Sequence, residues 1–198
     1  MPQKNTTSRT RRLTVTAMLS AVAAVLMYLE LPAPLMPSFI KLDISELPAL
    51  LAGFAYGPVH GVIVCLVKNL IKLPSTNTAA VGELCNFLLG AVFVLPASLI
   101  YRRHKSRKGA LVGALVGAVV MALLSLPINY FITYPVYAKF MPIDTIISMY
   151  QAIRPGVNGL LECLALFNVP FTFLKGLLDV ALCFLIYKPL SPVLHGKK

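Results

Sequence analysis

Polar side chains stand alone inside otherwise apolar stretches of this sequence: Lys68, Asn69, Lys72, Glu83, Asn86, Asn129, Thr172, Lys175 and Asp179. Asp43, Ser45 and Glu46 sit where a proline-rich segment gives way to an apolar run. Ammonium, amide, hydroxyl and carboxylate groups of this kind can bind a polar ligand or hold a proton. At the centre of a membrane helix a charge costs about 2.5–3.5 kcal/mol, so intramembrane charges commonly line a cavity or a pathway. Nothing points to catalysis. The sequence has no G-x-x-x-x-G-K-[ST], H-E-x-x-H or G-x-S-x-G motif. His60, His104 and His195 are far apart, and Cys65, Cys85, Cys163 and Cys183 occur singly in apolar surroundings, read as small buried hydrophobes.

The elements that must position these groups are membrane helices. Of the 198 residues, 58% are hydrophobic and 13% charged, against about 25% charged in a soluble domain. Mean hydropathy is +0.79. Long apolar runs exclude a barrel, whose strands alternate in short segments. Proline, glycine and charge signals divide the chain into six helices at about 13–29, 46–56, 58–72, 79–101, 109–134 and 168–187. Ser45 is a candidate N-cap for the second, and the 135–167 connection has room for further short helices. The prediction is one all-α integral membrane domain: a six-helix bundle over 13–187 between basic tails at 1–12 and 188–198.

A net charge of +11 suggests nucleic acid, but its placement argues against that partner. Lys4, Arg9, Arg11 and Arg12 precede the first apolar run; Arg102, Arg103, Lys105, Arg107 and Lys108 fill one short connection; Lys188, Lys197 and Lys198 close the chain. With six spans all three clusters fall on one side, which the positive-inside rule makes the cytoplasm. Both termini are then cytoplasmic, and the intramembrane polar groups share the outer half. A polar pocket open to the outside follows.

Each group also has a reading without a ligand. Lys68 and Lys72 can snorkel to the headgroups, and Asn129 can hydrogen-bond a neighbouring helix. Glu83 can pair with Lys68, and Lys175 with Asp179 one turn on, although cation before anion is the weaker order. Gly109, Gly113 and Gly117, with Ala110, Ala114 and Ala118, form ridges that let helices approach closely.

Five stretches together resemble a known family: L-D-I-S-E-L-P-A-L-L-A-G-F-A-Y-G-P-V-H-G-V-I-V (42–64), K-N-L (68–70), G-E-L-C-N-F-L-L-G (82–90), I-N-Y-F (128–131) and P-F-T-F-L-K-G (170–176). They are similar to the riboflavin-binding (RibU-type) S components of energy-coupling-factor (ECF) vitamin importers. The resemblance implies a six-helix binding subunit in the bacterial cell membrane, without a cofactor and without its own ATPase. Riboflavin is then the transported ligand, and the implied partners are a transmembrane coupling subunit and two ATP-binding subunits. Asn129 and Lys175 fall on flavin-contacting positions, residues 37–42 on a lid, and Ala17 and Ala21 on the coupling-subunit contact.

Members often carry asparagine where this chain has Thr172, and a hydroxyl offers fewer donors than an amide. One hydrogen bond is then lost, taken by water, or supplied by Asn86 or Asn69. The expected ligand site comprises Asn129, Lys175, Thr172, Asn86, Glu83, Asn69, Leu42, Phe39 and Asp43, with Phe39, Leu42, Phe87, Phe131 or Phe171 flanking a flat ring. Two other functions stay open on the residues alone. One is an S component for another vitamin such as thiamin; the other is a self-sufficient secondary transporter with Asp179, Glu83 or Glu162 as its proton site.

Overall fold

A chain without water around its backbone must satisfy each N–H and C=O internally, and helices do so within one segment. The computed structural model describes residues 3–76 and 78–195, with side chains described over 9–76 and 78–186. Helix α1 (Gln3–Tyr28) leads into a short antiparallel pair, β1 (Leu31–Pro32) and β2 (Lys41–Leu42). Then come α2 (Glu46–Tyr56), α3 (Pro58–Lys72), α4 (Val81–Arg103) and α5 (Arg107–Ile128). A π-helical turn (Asn129–Thr133) carries α5 into α6 (Tyr134–Tyr137), and α7 (Ile143–Gln151) follows. Finally α8 (Leu160–Cys163) runs through a second π turn (Leu164–Asn168) into α9 (Val169–His195).

Several boundaries differ from the sequence expectation: the helix expected from about 168 begins at Leu160 and passes through the second π turn, and the one expected to end at 134 runs on to Tyr137. Helix α1 takes in the basic segment from Gln3, and α9 continues to His195 instead of ending at 187. Residues 1–2 and 196–198 of the predicted tails lie outside the described residues. Among the described residues, four segments are long and apolar enough to cross a membrane: Arg9–Tyr28, Val81–Arg103, Arg107–Tyr137 and Leu160–Ile186. Helices α2 and α3, with 11 and 15 residues, reach only about 17 and 23 Å at 1.5 Å per residue, against a hydrocarbon core of about 30 Å. Gly57 makes the corner between them at φ 99°, a conformation costly for any residue with a Cβ, and Pro58 opens α3.

The glycine ridge of α5 packs inside the protein. A Cβ on Gly113 would lie 2.6 Å from the Ala97 carbonyl oxygen, and one on Gly117 2.5 Å from that of Phe93, so α4 and α5 touch backbone to side. Gly176 brings α9 equally close to Ala118 and Met121 of α5. Around these contacts Leu50, Val64, Phe93, Val94, Ala97, Met121 and Val180 form the main core. A second core, with Tyr134, Ile146, Tyr150, Val157 and Leu164, fastens α7 across the ends of the two π turns. On α1, Thr16, Ser20, Ala23 and Ala24 are buried, whereas Ala17 and Ala21 are exposed beside Met18 and Val22.

Candidate functional site: a cleft between two widened helices

Both π turns end at a proline. Tyr134 N–H closes on the Asn129 carbonyl and is followed by Pro135; Val169 N–H closes on the Leu164 carbonyl and is followed by Pro170. A proline has no N–H for the carbonyl four residues back, and its ring crowds that carbonyl. Widening the turn by one residue relieves the clash, and π turns of this kind recur at functional sites. Here the two widened turns flank an open cleft. Asn86, Asn129, Thr133, Asn168, Thr172 and Lys175 are among its polar lining, and Phe39, Leu89, Met121, Tyr137 and Phe171 among its apolar lining. Flat, apolar faces with a few polar groups at the edges suit an aromatic heterocycle.

Lys175 does not pair with Asp179. Its Nζ lies 3.0 Å from Asp43 Oδ2 and 3.1 Å from Glu46 Oε2, linking α9 to the connection between β2 and α2 and to α2 itself. Lys68 is fully buried and donates to Glu46 Oε1 at 2.7 Å and to the Ser45 hydroxyl. That hydroxyl donates in turn to Asp43 Oδ1, as does the Ser45 backbone N–H. The result is a closed ring of two ammoniums and two carboxylates, with Ser45 as the fifth member. Ser45 holds the N-cap position of α2 that the sequence suggests, but its side chain serves the ring and caps no helical N–H. Burial works to raise the Asp43 pKa, but Lys175, Lys68 and the bonds from Ser45 outweigh it and hold the carboxyl well below its usual range. Asp179 is fully buried outside the ring, and neither of its oxygens has a hydrogen-bond partner among the described residues.

A second, uncharged ring closes the other side of the cleft. The Tyr150 hydroxyl lies 2.6 Å from Asn168 Oδ1 and 2.7 Å from the Tyr134 hydroxyl, and Asn168 Nδ2 lies 3.4 Å from Tyr134. All three residues are buried. Asn129 spends one amide hydrogen on the Ser125 carbonyl at 2.8 Å and accepts from the Cys85 thiol on α4 at 3.4 Å. The helix-to-helix bond anticipated for it exists, and the residue still lines the cleft.

Of the residues expected at the site, Asn129, Lys175, Thr172, Asn86 and Phe39 share this cleft, and so does Phe171. Asp43 lies behind Lys175 in the charged ring, buried. Leu42 lines a neighbouring cleft that shares Lys175 and Phe171. Glu83 and Asn69 are displaced: with Phe87 they line a separate groove between α3 and α4. Glu83 does not pair with Lys68, because Lys68 is engaged by Glu46, and it accepts from Thr76 at 2.8 Å instead. Asn69 reaches the site only through its bond to Asn86 Oδ1, 3.3 Å long. Phe131 is 72% exposed and flanks nothing in the cleft. Lys72 turns inward to Glu30, 3.3 Å away, and over the Tyr28 ring instead of out to the headgroups.

Sequence reasoning passed over Glu46, Tyr134 and Asn168 as lining residues. Asn168 had a signal: positions 168, 172, 175 and 179 follow the 4-3-4 spacing of one helical face. Of the 37–42 segment, Phe39, Ile40 and Lys41 line the cleft, and the Phe39 ring packs against Tyr137 at 5.8 Å.

Comparison with known proteins gives a consistent answer. A family model described as "ECF transporter, substrate-specific component" matches residues 11–187. The chain is 35% identical over 181 residues to the riboflavin transporter RibU of Staphylococcus aureus (strain TCH60), covering 91% of this chain and 90% of that one. It is 31% identical over 195 residues to the riboflavin transporter FmnP of Bacillus subtilis (strain 168), covering 96% and 97%. A solved structure of the S component of a bacterial ECF transporter superposes with a TM-score of 0.75 at 34% identity, over 96% of this chain and 99% of that one. The chain belongs to the substrate-specific components of ECF transporters.

Proposed function

We propose that this chain captures riboflavin in the cleft between the two π turns and delivers it only with a coupling subunit and two ATP-binding subunits. The observation that carries this reading is the convergence of Asn86, Asn129, Thr172 and Lys175 on one cleft with Phe39 and Phe171. The pyrimidine edge of isoalloxazine has one N–H between two carbonyls, which suits the amide hydrogen and lone pair left free on Asn129. Lys175 has three N–H donors and commits one to Asp43, with Glu46 beside it as a second counter-charge, so a donor is available to a flavin oxygen or ring nitrogen. Leu42 and Asp43 act beside the cleft. Asn69 and Glu83 support it from the adjoining groove.

In this reading α1, α2, α3, α4, α5–α6 and α8–α9 are six transmembrane passages, with α2 and α3 held at depth by their neighbours. Both termini and the 104–106 connection are cytoplasmic, on the grounds of their lysines and arginines. The single domain lies in the bacterial cell membrane, and the exposed Ala17 and Ala21 face of α1 meets the coupling subunit.

Protein purified from a riboflavin-containing host is expected to be yellow, with equimolar flavin absorbance. Colourless protein that leaves the fluorescence of added riboflavin unquenched would overturn the reading. The double substitution Ala17→Trp and Ala21→Trp is expected to keep binding and stop uptake in cells carrying the partner subunits.

A further inference from the structure

We propose that Tyr150, which does not line the cleft, is a positioning residue that fixes Asn168 as a hydrogen-bond donor to the ligand. The inference rests on the riboflavin reading above. Its basis is the chemistry of the uncharged ring. A phenol has one hydrogen to give, and an amide oxygen can only accept. At 2.6 Å from Asn168 Oδ1, the Tyr150 hydroxyl therefore gives its hydrogen to that oxygen. The 2.7 Å contact between the two phenols then has Tyr134 donating to Tyr150. Asn168 Nδ2 closes the circuit by donating to Tyr134 at 3.4 Å.

The opposite circuit, with the amide turned over, would put a nitrogen 2.6 Å from the Tyr150 oxygen. N–H···O bonds lie at about 2.7–3.2 Å, so the distances select one direction. Burial foremost, together with the neighbouring Tyr134, pushes the Tyr150 phenol above its ordinary pKa and keeps that hydrogen in place at any working pH.

The consequence falls on Asn168. One amide hydrogen is spent on Tyr134, and the other is left over on a residue that lines the cleft. An unrestrained amide can offer a ligand either N–H or C=O by turning over. This one cannot turn without breaking the bonds to both phenols. The site therefore presents a donor and selects a ligand with a carbonyl or an unprotonated ring nitrogen at that edge. Tyr150 comes from α7 and packs with Ile146, Val157 and Phe167, so the 135–167 segment, which lines the cleft directly with Tyr137, also acts on it at a distance through the Tyr150 hydroxyl.

The test is a double-mutant cycle on riboflavin affinity, read by fluorescence quenching with site number and thermal unfolding measured alongside. Tyr150→Phe keeps the aromatic packing and removes the hydroxyl. It is expected to weaken binding about tenfold with the number of sites unchanged. In an Asn168→Ala background the same change is expected to add nothing, because Tyr150 acts through the amide. Asn168→Ser provides a second background should the alanine variant fold poorly. Unaltered affinity in Tyr150→Phe overturns the proposal. So does a full tenfold effect in either Asn168 background, or fewer sites at unchanged affinity, which would mark a purely structural role. Failure of the unsubstituted protein to bind riboflavin would instead overturn the functional reading.

Discussion

The two halves of helix α5 are held to their neighbours by different physics. Its N-terminal half, the inner one in the proposed orientation, presents Gly113 and Gly117 to the Ala97 and Phe93 carbonyls of α4, so closely that no side chain fits between. Its C-terminal half, the outer one in that orientation, widens at Asn129 and stands off from α9 around a cleft lined by amides, hydroxyls and an ammonium. Between lipid chains there is no hydrophobic drive to bring helices together, so close van der Waals fit must do so. The inner half takes that solution. The outer half gives up fit for space and is held by two hydrogen-bonded rings, one charged and one neutral. Stability and binding are thus divided along the length of the same helices.

Substitutions can break or sharpen this division. Lys68→Met should have the largest effect, because it leaves Glu46 Oε1 and the Ser45 hydroxyl without their ammonium in a fully buried site and the ring with one cation for two carboxylates. Loss of one partner of a buried pair costs about 3–5 kcal/mol, expected as a marked fall in the thermal midpoint in detergent. An unchanged midpoint would mean that the outer half does not depend on its charges. Lys175→Met comes next. It should weaken riboflavin binding by about 1.5–3 kcal/mol, the range for a charged hydrogen bond, and lower stability as well because Asp43 and Glu46 lose a partner. Adding Glu46→Gln should recover stability but not affinity, which separates the two roles of the lysine.

Gly117→Val addresses the inner half. Overpacking of this kind costs about 1–3 kcal/mol, and folded variant should bind riboflavin with unaltered affinity. A change in affinity would show that the two halves are coupled. Phe131→Ala should do least, within about 0.5 kcal/mol in stability and without effect on binding, since the ring faces outward.

Much of the site was legible in the sequence where a polar residue interrupts an apolar run. Asn129, Thr172 and Lys175 stand out for that reason, and helix periodicity adds Asn168. The partners were not legible. Lys175 meets Asp43 across 132 positions, and Lys68 meets Glu46 across 22, so these pairs exist only once α2, α3 and α9 have packed. The local alternative, Lys175 with Asp179, lost because two carboxylates on other elements lie within reach of the same ammonium. Tyr134 and Tyr150 carried no signal, because a tyrosine in an outer segment reads as an interfacial anchor. Helix extents followed hydropathy, but the π turns did not: Pro135 read as the end of a helix and Pro170 as part of a helix start, whereas each helix runs through its proline by widening.

That widening bears on how such a cleft could change its cargo. A π turn holds one residue more than the α-helical turn it replaces, and one residue is about 100° of rotation. Deleting a position within 129–133 would rewind the rod and carry Tyr134 round its circumference, away from Tyr150. Within 164–167, the same deletion would rotate α8 relative to the face that carries Asn168, Thr172 and Lys175. Neither change reaches Gly113 or Gly117, which lie well before the first turn. A gain or loss of one residue, ordinarily ruinous in a buried helix, is confined here to the face that meets the ligand. The two turns are thus places where chain length can vary to re-face the cleft while the seam beneath keeps its register.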